Sequence, residues 1–285
     1  MAAKAIYIEE QVLGGPGSGA STGALIVNAD DWGRDRETTE RTLECIRRGA
    51  VSSVSAMVFM QDSERAAGVA REHGIDAGLH LNLTERFSTS PSRLAEYQRR
   101  IARRLHRHRL AQVIFDPLLM NSFEYAVAAQ IEEFSRLYGA PPRRIDGHHH
   151  MHLCANVLLG KLLPRGVVVR RNFSIGPGEK NLGNRLYRRA VDLMLSRRHA
   201  LTDFFFALEP LEPRERLRRI FSLARRFTVE VETHPANPDE YQFLSSGEVF
   251  RWAADCRVAR GYSPPTTKQF LLRPARNAER AVKAH

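Results

Sequence analysis

The sequence predicts an α/β fold, a (β/α) barrel in a single domain, and three observations carry that reading. Short apolar runs rich in branched residues alternate along the chain with segments of helical spacing, the pattern of parallel strands joined by helices. Roughly eight such runs occur, the strand number of a closed (β/α) barrel. The polar residues of chemical interest follow several different runs, as at the C-terminal rim of a barrel, whereas an open doubly wound sheet gathers them at one crevice. No glycine-rich phosphate loop follows the first run, which weighs against a nucleotide-binding sheet.

Residues 1–22 end in Gly14-Gly-Pro-Gly-Ser-Gly19 and read as a flexible tail or a cloning remnant. The barrel domain is expected over 23–273, with a loose polar tail over 274–285. Ala24–Asn28 is a short apolar run typical of a strand buried on both faces. Arg36–Arg48 has helical spacing at Thr39, Leu43 and Ile46, and Gly49 stops it. A strand over Val54–Phe59, a helix over Ser63–His73 and a strand over Ala77–Leu83 come next. Helices are predicted over Ser92–Gln112 and Ser122–Tyr138, before a strand ending at Asp146. The remaining strand candidates are Val167–Arg170, Asp203–Ala207, Thr228–Glu232 and Lys268–Leu272, separated by helical patterns at Asn184–Arg198, Pro213–Arg226 and Ser246–Arg260.

At 285 residues with 43% hydrophobic and 26% charged side chains, the composition is that of a globular protein with a large core. No apolar run approaches the ~20 residues that span a bilayer. The first residues, with Glu9 and Glu10, do not resemble a secretory signal, and Cys45, Cys154 and Cys256 are too few and scattered for a disulfide framework. A cytoplasmic location is the expectation. Cys154 lies two residues beyond His152 and reads as a small core residue sooner than a metal ligand. The net charge of +11 invites a nucleic-acid reading, but the excess is local, in Arg99–Arg109 and Arg214–Arg226. Both stretches carry apolar residues at helical intervals, so solvated helix faces are expected, with an anionic membrane or acidic substrate as the other reading.

The densest chemical signal is Arg144-Ile-Asp-Gly-His-His-His-Met-His-Leu153, which holds four of the chain's 11 histidines. Imidazole is the commonest biological metal ligand, so the cluster points to a metal or proton-transfer site. Asn28-Ala-Asp-Asp-Trp-Gly33 ends the first strand with two adjacent carboxylates, costly there unless a cation compensates; the bland reading is an Asx cap. In extended backbone Asp30 and Asp31 point apart, one toward a metal and one toward proton transfer. His80 interrupts Gly78-Leu-His-Leu81. Alone it would be a core histidine, but beside the other two motifs it completes a carboxylate and two imidazoles, the open set of a catalytic metal. His234, after Val231-Glu-Thr, suits a proton donor. Arg170 suits either a structural ion pair or a role in holding a substrate oxygen or orienting a carboxylate.

Together Asn28-Ala-Asp-Asp-Trp-Gly33, Gly78-Leu-His-Leu81, Asp146-Gly-His-His-His-Met-His152 and Thr233-His-Pro-Ala236 resemble the YdjC family of carbohydrate deacetylases, which includes chitooligosaccharide deacetylase and a hopanoid-biosynthesis-associated branch. The resemblance runs from about Ala24 to Leu272. It implies a TIM-like (β/α) barrel, regular or distorted, that removes an N-acetyl group from an amino sugar or glycoconjugate with one divalent cation, Mg2+ or Zn2+. It also implies Asp31, His80 and His148 as metal ligands, Asp30 as general base and His234 as general acid. Asp146, Arg170, His150, His152 and Trp32 would contact substrate or support the ligands, with His149 supporting a ligand or structural. Three positions depart from the family pattern: Arg143-Arg144 for a common Thr-His, Trp32 for Phe, and Thr84-Glu-Arg-Phe-Ser-Thr89 for a Gly-Lys-Pro-like loop near the expected sugar pocket. Rival readings are another metal-dependent amidohydrolase or phosphoesterase, and a basic protein binding nucleic acid or a membrane surface. No nucleic-acid partner is expected. Peripheral membrane contact through the arginine-rich helices and a homodimer are both compatible with the sequence.

Overall fold

The computed structural model describes residues 23–108, 110–175, 179–254 and 256–262. The two expected tails and the strand expected at Lys268–Leu272 lie outside these. In chain order the elements are β1 (Ala24–Trp32), α1 (Arg36–Arg47), β2 (Ser53–Ala56), α2 (Ser63–His73), β3 (Ala77–Leu81), α3 (Ser92–His106), α4 (Met120–Tyr138) and β4 (Arg144–Gly147). There follow α5 (Ala155–Leu159), β5 (Val168–Val169), α6 (Leu182–Ser196), β6 (Phe204–Ala207), α7 (Arg214–Ala224), β7 (Thr228–Thr233), α8 (Pro238–Ser245) and α9 (Glu248–Trp252).

The strands form one parallel sheet in the order β5-β4-β3-β2-β1-β7-β6. In a flat sheet β5 and β7 would stand about 24 Å apart, five spacings of about 4.8 Å. Yet Arg170, directly after β5, places its Nε 2.7 Å from Glu230 Oε1 on β7. The sheet is therefore curled into a half-barrel with helices around it, a distorted TIM-like barrel. β5 and β6 do not pair as strands, but Ser174 bridges their ends: its N–H donates to Phe205 O at 2.8 Å and its Oγ accepts from Phe205 N–H at 3.0 Å.

Because side chains alternate along a strand, each strand serves two environments. Leu25, Val27, Ala29, Val54, Leu79, Ile145, Val169, Val229 and Val231 face the helices and build the apolar core. Asn28, Ser55, Arg144, Asp146, Glu230 and Glu232, together with Arg170, are buried and bonded to one another inside the curl. Gly78 on β3 makes room for this polar interior, since a Cβ there would stand 2.8 Å from Arg144 Cζ. Tyr262 covers the Arg144 guanidinium at 4.6 Å and donates its hydroxyl to Glu230 Oε2 at 2.9 Å.

The helix over Ser63–His73 matches its expected bounds. Other elements differ in their bounds; β1 runs on from the expected Asn28 to Trp32 and β3 stops at Leu81 and not Leu83. β2 ends at Ala56 and not at Phe59, whose φ of 61° takes the chain out of extended form. α3 ends at His106 and not Gln112, where the chain turns back and Arg104 pairs with Asp116 at 3.0 Å. The helix expected over Ser246–Arg260 spans only Glu248–Trp252, its start set by Gly247 at a left-handed φ of 77°. A helix starts earlier, at Pro238, where the Asn237 side chain accepts from Asp239 N–H at 2.9 Å. The overlooked signal was Asn-Pro, a capping residue followed by proline in the first turn.

Candidate active site and metal centre

β1 does not end in extended backbone. Asp31 has φ 63°, and the pairing with β2 shifts register between Ala29 and Trp32. Asp tolerates this left-handed region better than most residues. The turn corrects the expectation that the two carboxylates diverge: both come to His80, whose Nε2 lies 3.3 Å from Asp31 Oδ1 and 3.9 Å from Asp30 Oδ2. Trp32 is fully buried in the apolar core between sheet and helices.

The histidine run is spread by two successive left-handed residues, His149 (φ 52°) and His150 (φ 57°). His148 turns its Nδ1 to Asp31 Oδ1 at 3.0 Å and its Nε2 to Glu85 Oε2 at 3.0 Å. His149 Nδ1 meets Thr84 Oγ1 at 3.0 Å, His150 Nε2 lies 3.5 Å from Glu232 Oε1, and His152 Nε2 bonds the Arg170 carbonyl at 3.0 Å. One segment thus sends four imidazoles to four places.

Asp31, His80 and His148 each offer one donor atom within 4.8 Å of the others, a set that could hold a metal ion, with Asp31 Oδ1 facing both His80 Nε2 and His148 Nδ1. Asp30, His80 and Asp146 also lie that close, but both of those carboxylates are committed to Arg170. The remaining polar atoms of the first set are also engaged. His80 Nδ1 bonds Asp146 Oδ1 at 2.7 Å, fixing Nε2 as the atom presented to a cation, and Arg34 Nη1 takes Asp31 Oδ2 at 2.8 Å. The donor chemistry therefore fits a bound divalent cation. Burial opposes ionisation of Asp31, yet its bonds to His148 and His80 hold the carboxyl well below its usual range. Burial likewise opposes charge on His80, but Asp30, Asp146 and Asp31 outweigh it and raise the imidazole to about 10.

Arg170 is fully buried and bound by four carboxylates. Nη1 and Nη2 grip Asp30 in a fork at 2.6 and 2.7 Å, Nε holds Glu230 at 2.7 Å, and Glu232 and Asp146 lie at 3.1 and 3.2 Å. The structure shows Arg170 in ion pairs with carboxylates, which both the structural and the carboxylate-orienting readings expected. Burial works against ionised Asp30, but the Arg170 charge prevails and lowers its carboxyl. His234 follows β7, with its N–H donating to Glu240 Oε2 at 2.9 Å and its Nδ1 3.7 Å from Glu240 Oε1. Burial disfavours its charge, but Glu240, Asp30 and Glu232 raise it to about 9. Cys154 is buried, and burial pushes its thiol to about 11, as for a core residue.

The sequence reading passed over Glu85, Arg34, Glu230 and Glu232. Arg34 and Glu85 had no signal beyond proximity in sequence to motifs. Glu230 and Glu232 had one: charged residues at alternate positions of an otherwise apolar strand, all on its inner face.

Chitooligosaccharide deacetylase of Proteus mirabilis (strain HI4320) is 34% identical over 130 residues, 45% of this chain and 50% of that protein. Carbohydrate deacetylase of Mus musculus is 32% identical over 139 residues, 47% of this chain and 44% of that protein. The chain spans about half the length of the curated relatives it matches. A solved structure from Enterococcus faecalis V583, provisionally assigned to cellobiose-phosphate cleavage, superposes with a TM-score of 0.60 at 18% identity. It covers 83% of this chain and 97% of that one, a likeness of fold alone. Residues 24–266 match the YdjC-like protein family, and the chain belongs to it.

Proposed function

We propose that this protein is a metal-dependent deacetylase that hydrolyses the N-acetyl group of an amino sugar or glycoconjugate. The observation that carries the reading is the buried Asp31–His80–His148 donor set beside an Asp30 carboxylate held ionised by Arg170. The names of the matching relatives from Proteus mirabilis and Mus musculus support the substrate class. Asp31, His80 and His148 would hold the cation; two imidazole nitrogens favour zinc over magnesium, which prefers oxygen. When bound, a divalent cation there polarises the acetamide carbonyl and acidifies water.

Asp30 is the base in this reading. Arg170 and Asn28, whose Nδ2 donates to Asp30 Oδ1 at 2.8 Å, fix its carboxylate, and Asp30 takes the proton of the water that attacks the acetyl carbon. His234, an imidazolium at neutral pH, gives its proton to the departing nitrogen as the C–N bond breaks, so the products are acetate and a free amine. Asp146 keeps the His80 ring in one tautomer, and His152 steadies the backbone of Arg170.

The test is acetate release from a panel of N-acetylated sugars, with metal content measured before and after chelation and add-back. Asp31→Ala should lose the cation and the activity together. Asp30→Asn should retain the cation while turnover falls by about 10²–10⁴. Full activity in metal-free Asp31→Ala protein ends this reading.

A further inference from the structure

Among the described residues eleven large apolar side chains are exposed, and ten of them fall between positions 110 and 193. Five lie in the connection from α3 to α4: Leu110, Val113, Ile114, Phe115 and Leu118, the last 86% exposed. Leu159 of α5 is the sixth, and Leu182, Leu186, Tyr187 and Leu193 belong to α6. A soluble monomer scatters such residues; a concentration marks an interaction surface.

These segments are tied to one another. The Asn156 side chain on α5 accepts from Asp116 N–H at 3.0 Å and donates to the Asp116 carbonyl at 2.8 Å. Leu158 and Lys161, at the end of α5, share a small cleft with Met194 and Leu195 of α6. On α6, Leu182, Leu186 and Leu193 are spaced by four and seven residues and form one stripe. The buried anchors Val191 and Leu195 occupy the opposite side of the helix, so α6 has a second apolar face directed outward. α5 begins two residues after the histidine turn.

Charge selects the partner. Residues 99–118 contain six arginines against one acid, Asp116, which pairs with Arg104, and 180–193 contain four basic residues against one acid, Asp192, which pairs with Arg171. A second copy of the chain joined through this face would set arginines against arginines. A nucleic acid would satisfy the arginines but leave the leucines in water. A bilayer with anionic headgroups meets both needs. By contrast α7, the other arginine-rich helix, buries Leu217, Ile220 and Phe221 and offers no outward apolar face.

We propose that the 110–118 connection, α5 and the outer stripe of α6 form a docking surface for an anionic lipid bilayer. The leucines and Phe115 enter the boundary between headgroups and acyl chains while the flanking arginines contact the headgroups. The inference rests on the fold and surface, and is independent of the chemistry assigned to the site.

Flotation of the full chain with phosphatidylcholine vesicles, with and without phosphatidylglycerol, tests it. The protein should float with the anionic vesicles, bind the neutral ones weakly, and be released by high salt. The triple variant Leu182→Ser/Leu186→Ser/Leu193→Ser and, separately, Ile114→Ser/Leu118→Ser should each weaken partitioning about tenfold or more, with thermal unfolding unchanged. The proposal is overturned if the wild-type chain stays with the pellet, or if both variants float as it does. It is equally overturned if light scattering shows a dimer that the leucine variants dissociate and no vesicle binding accompanies it.

Discussion

The two faces of the same seven strands differ more than any two segments of the chain. The outer face, with Leu25, Val54, Leu79, Ile145 and Val231, packs against helices through contacts that need no particular direction. The inner face holds Asn28, Ser55, Arg144, Asp146, Glu230 and Glu232, each bonded to a definite partner and cut off from water. Burying ions costs free energy that pairing at best recovers, whereas burying apolar surface is favourable by about 25 cal/mol per Å². The comparison teaches that the outer face stabilises the fold and the inner face draws on that stability. What the inner face obtains is a carboxylate, Asp30, held ionised and immobile at the rim by a guanidinium that four acids share.

The sharpest way to break this contrast is Arg170→Met. It leaves four carboxylates without their common cation, and a loss of about 3–5 kcal/mol in urea unfolding is expected. A loss below about 1 kcal/mol would show that the interior is not held by charge compensation. On the outer face, Leu79→Ala should cost about 2–5 kcal/mol through lost burial and a cavity. Calorimetric titration of that variant should find divalent-ion affinity unchanged; a large drop would erase the distinction between the faces.

The pH dependence of stability sharpens the contrast further. His152 is fully buried, and burial lowers its imidazole to about 3 from an ordinary 6.5. Below 6.5 the unfolded chain takes up a proton that the folded chain refuses. Stability present above pH 6.5 is therefore lost as pH falls toward 3, at up to about 1.4 kcal/mol per pH unit. His149, lowered to about 4 by burial and by His148, acts in the same direction. His80 and His234, raised to about 10 and 9, do the reverse: their contribution is complete below 6.5 and disappears as pH rises through those values. Between pH 4 and 6.5 the slope thus belongs chiefly to His152, since His149 is exposed and solvent screens its share, and His152→Asn should flatten it in chemical denaturation. The smallest effect is expected from Glu85→Gln. It removes the charge facing His148 Nε2, leaves the three proposed ligands in place, and should weaken divalent-ion affinity about tenfold by calorimetry.

Much of the architecture was legible because local pattern decides it. Ser63–His73 is bounded by an acidic first turn, a basic last turn and a left-handed Gly74, all visible as letters. The three segments that supply donor atoms could also be read, since two acids at a strand end or a histidine inside an apolar run conflict with local burial rules. The left-handed turn at Asp31 could not, because nothing in Ala-Asp-Asp-Trp distinguishes a strand end from a strand that continues. The outward stripe of α6 was likewise hidden: leucines at helical spacing look the same whether they face a core or solvent.

The chain's order of letters by itself determined which residue types stand at the ends of which strands, and hence a carboxylate–imidazole chemistry at the rim of an α/β fold. Tertiary structure alone decided that Arg170 meets Asp30, Glu230 and Glu232, residues 140, 60 and 62 positions away. Strand alternation is a local property that sequence carries openly. Which inner-face charges become partners depends on how far the sheet curls, and the summed packing of all its strands and helices sets that curvature.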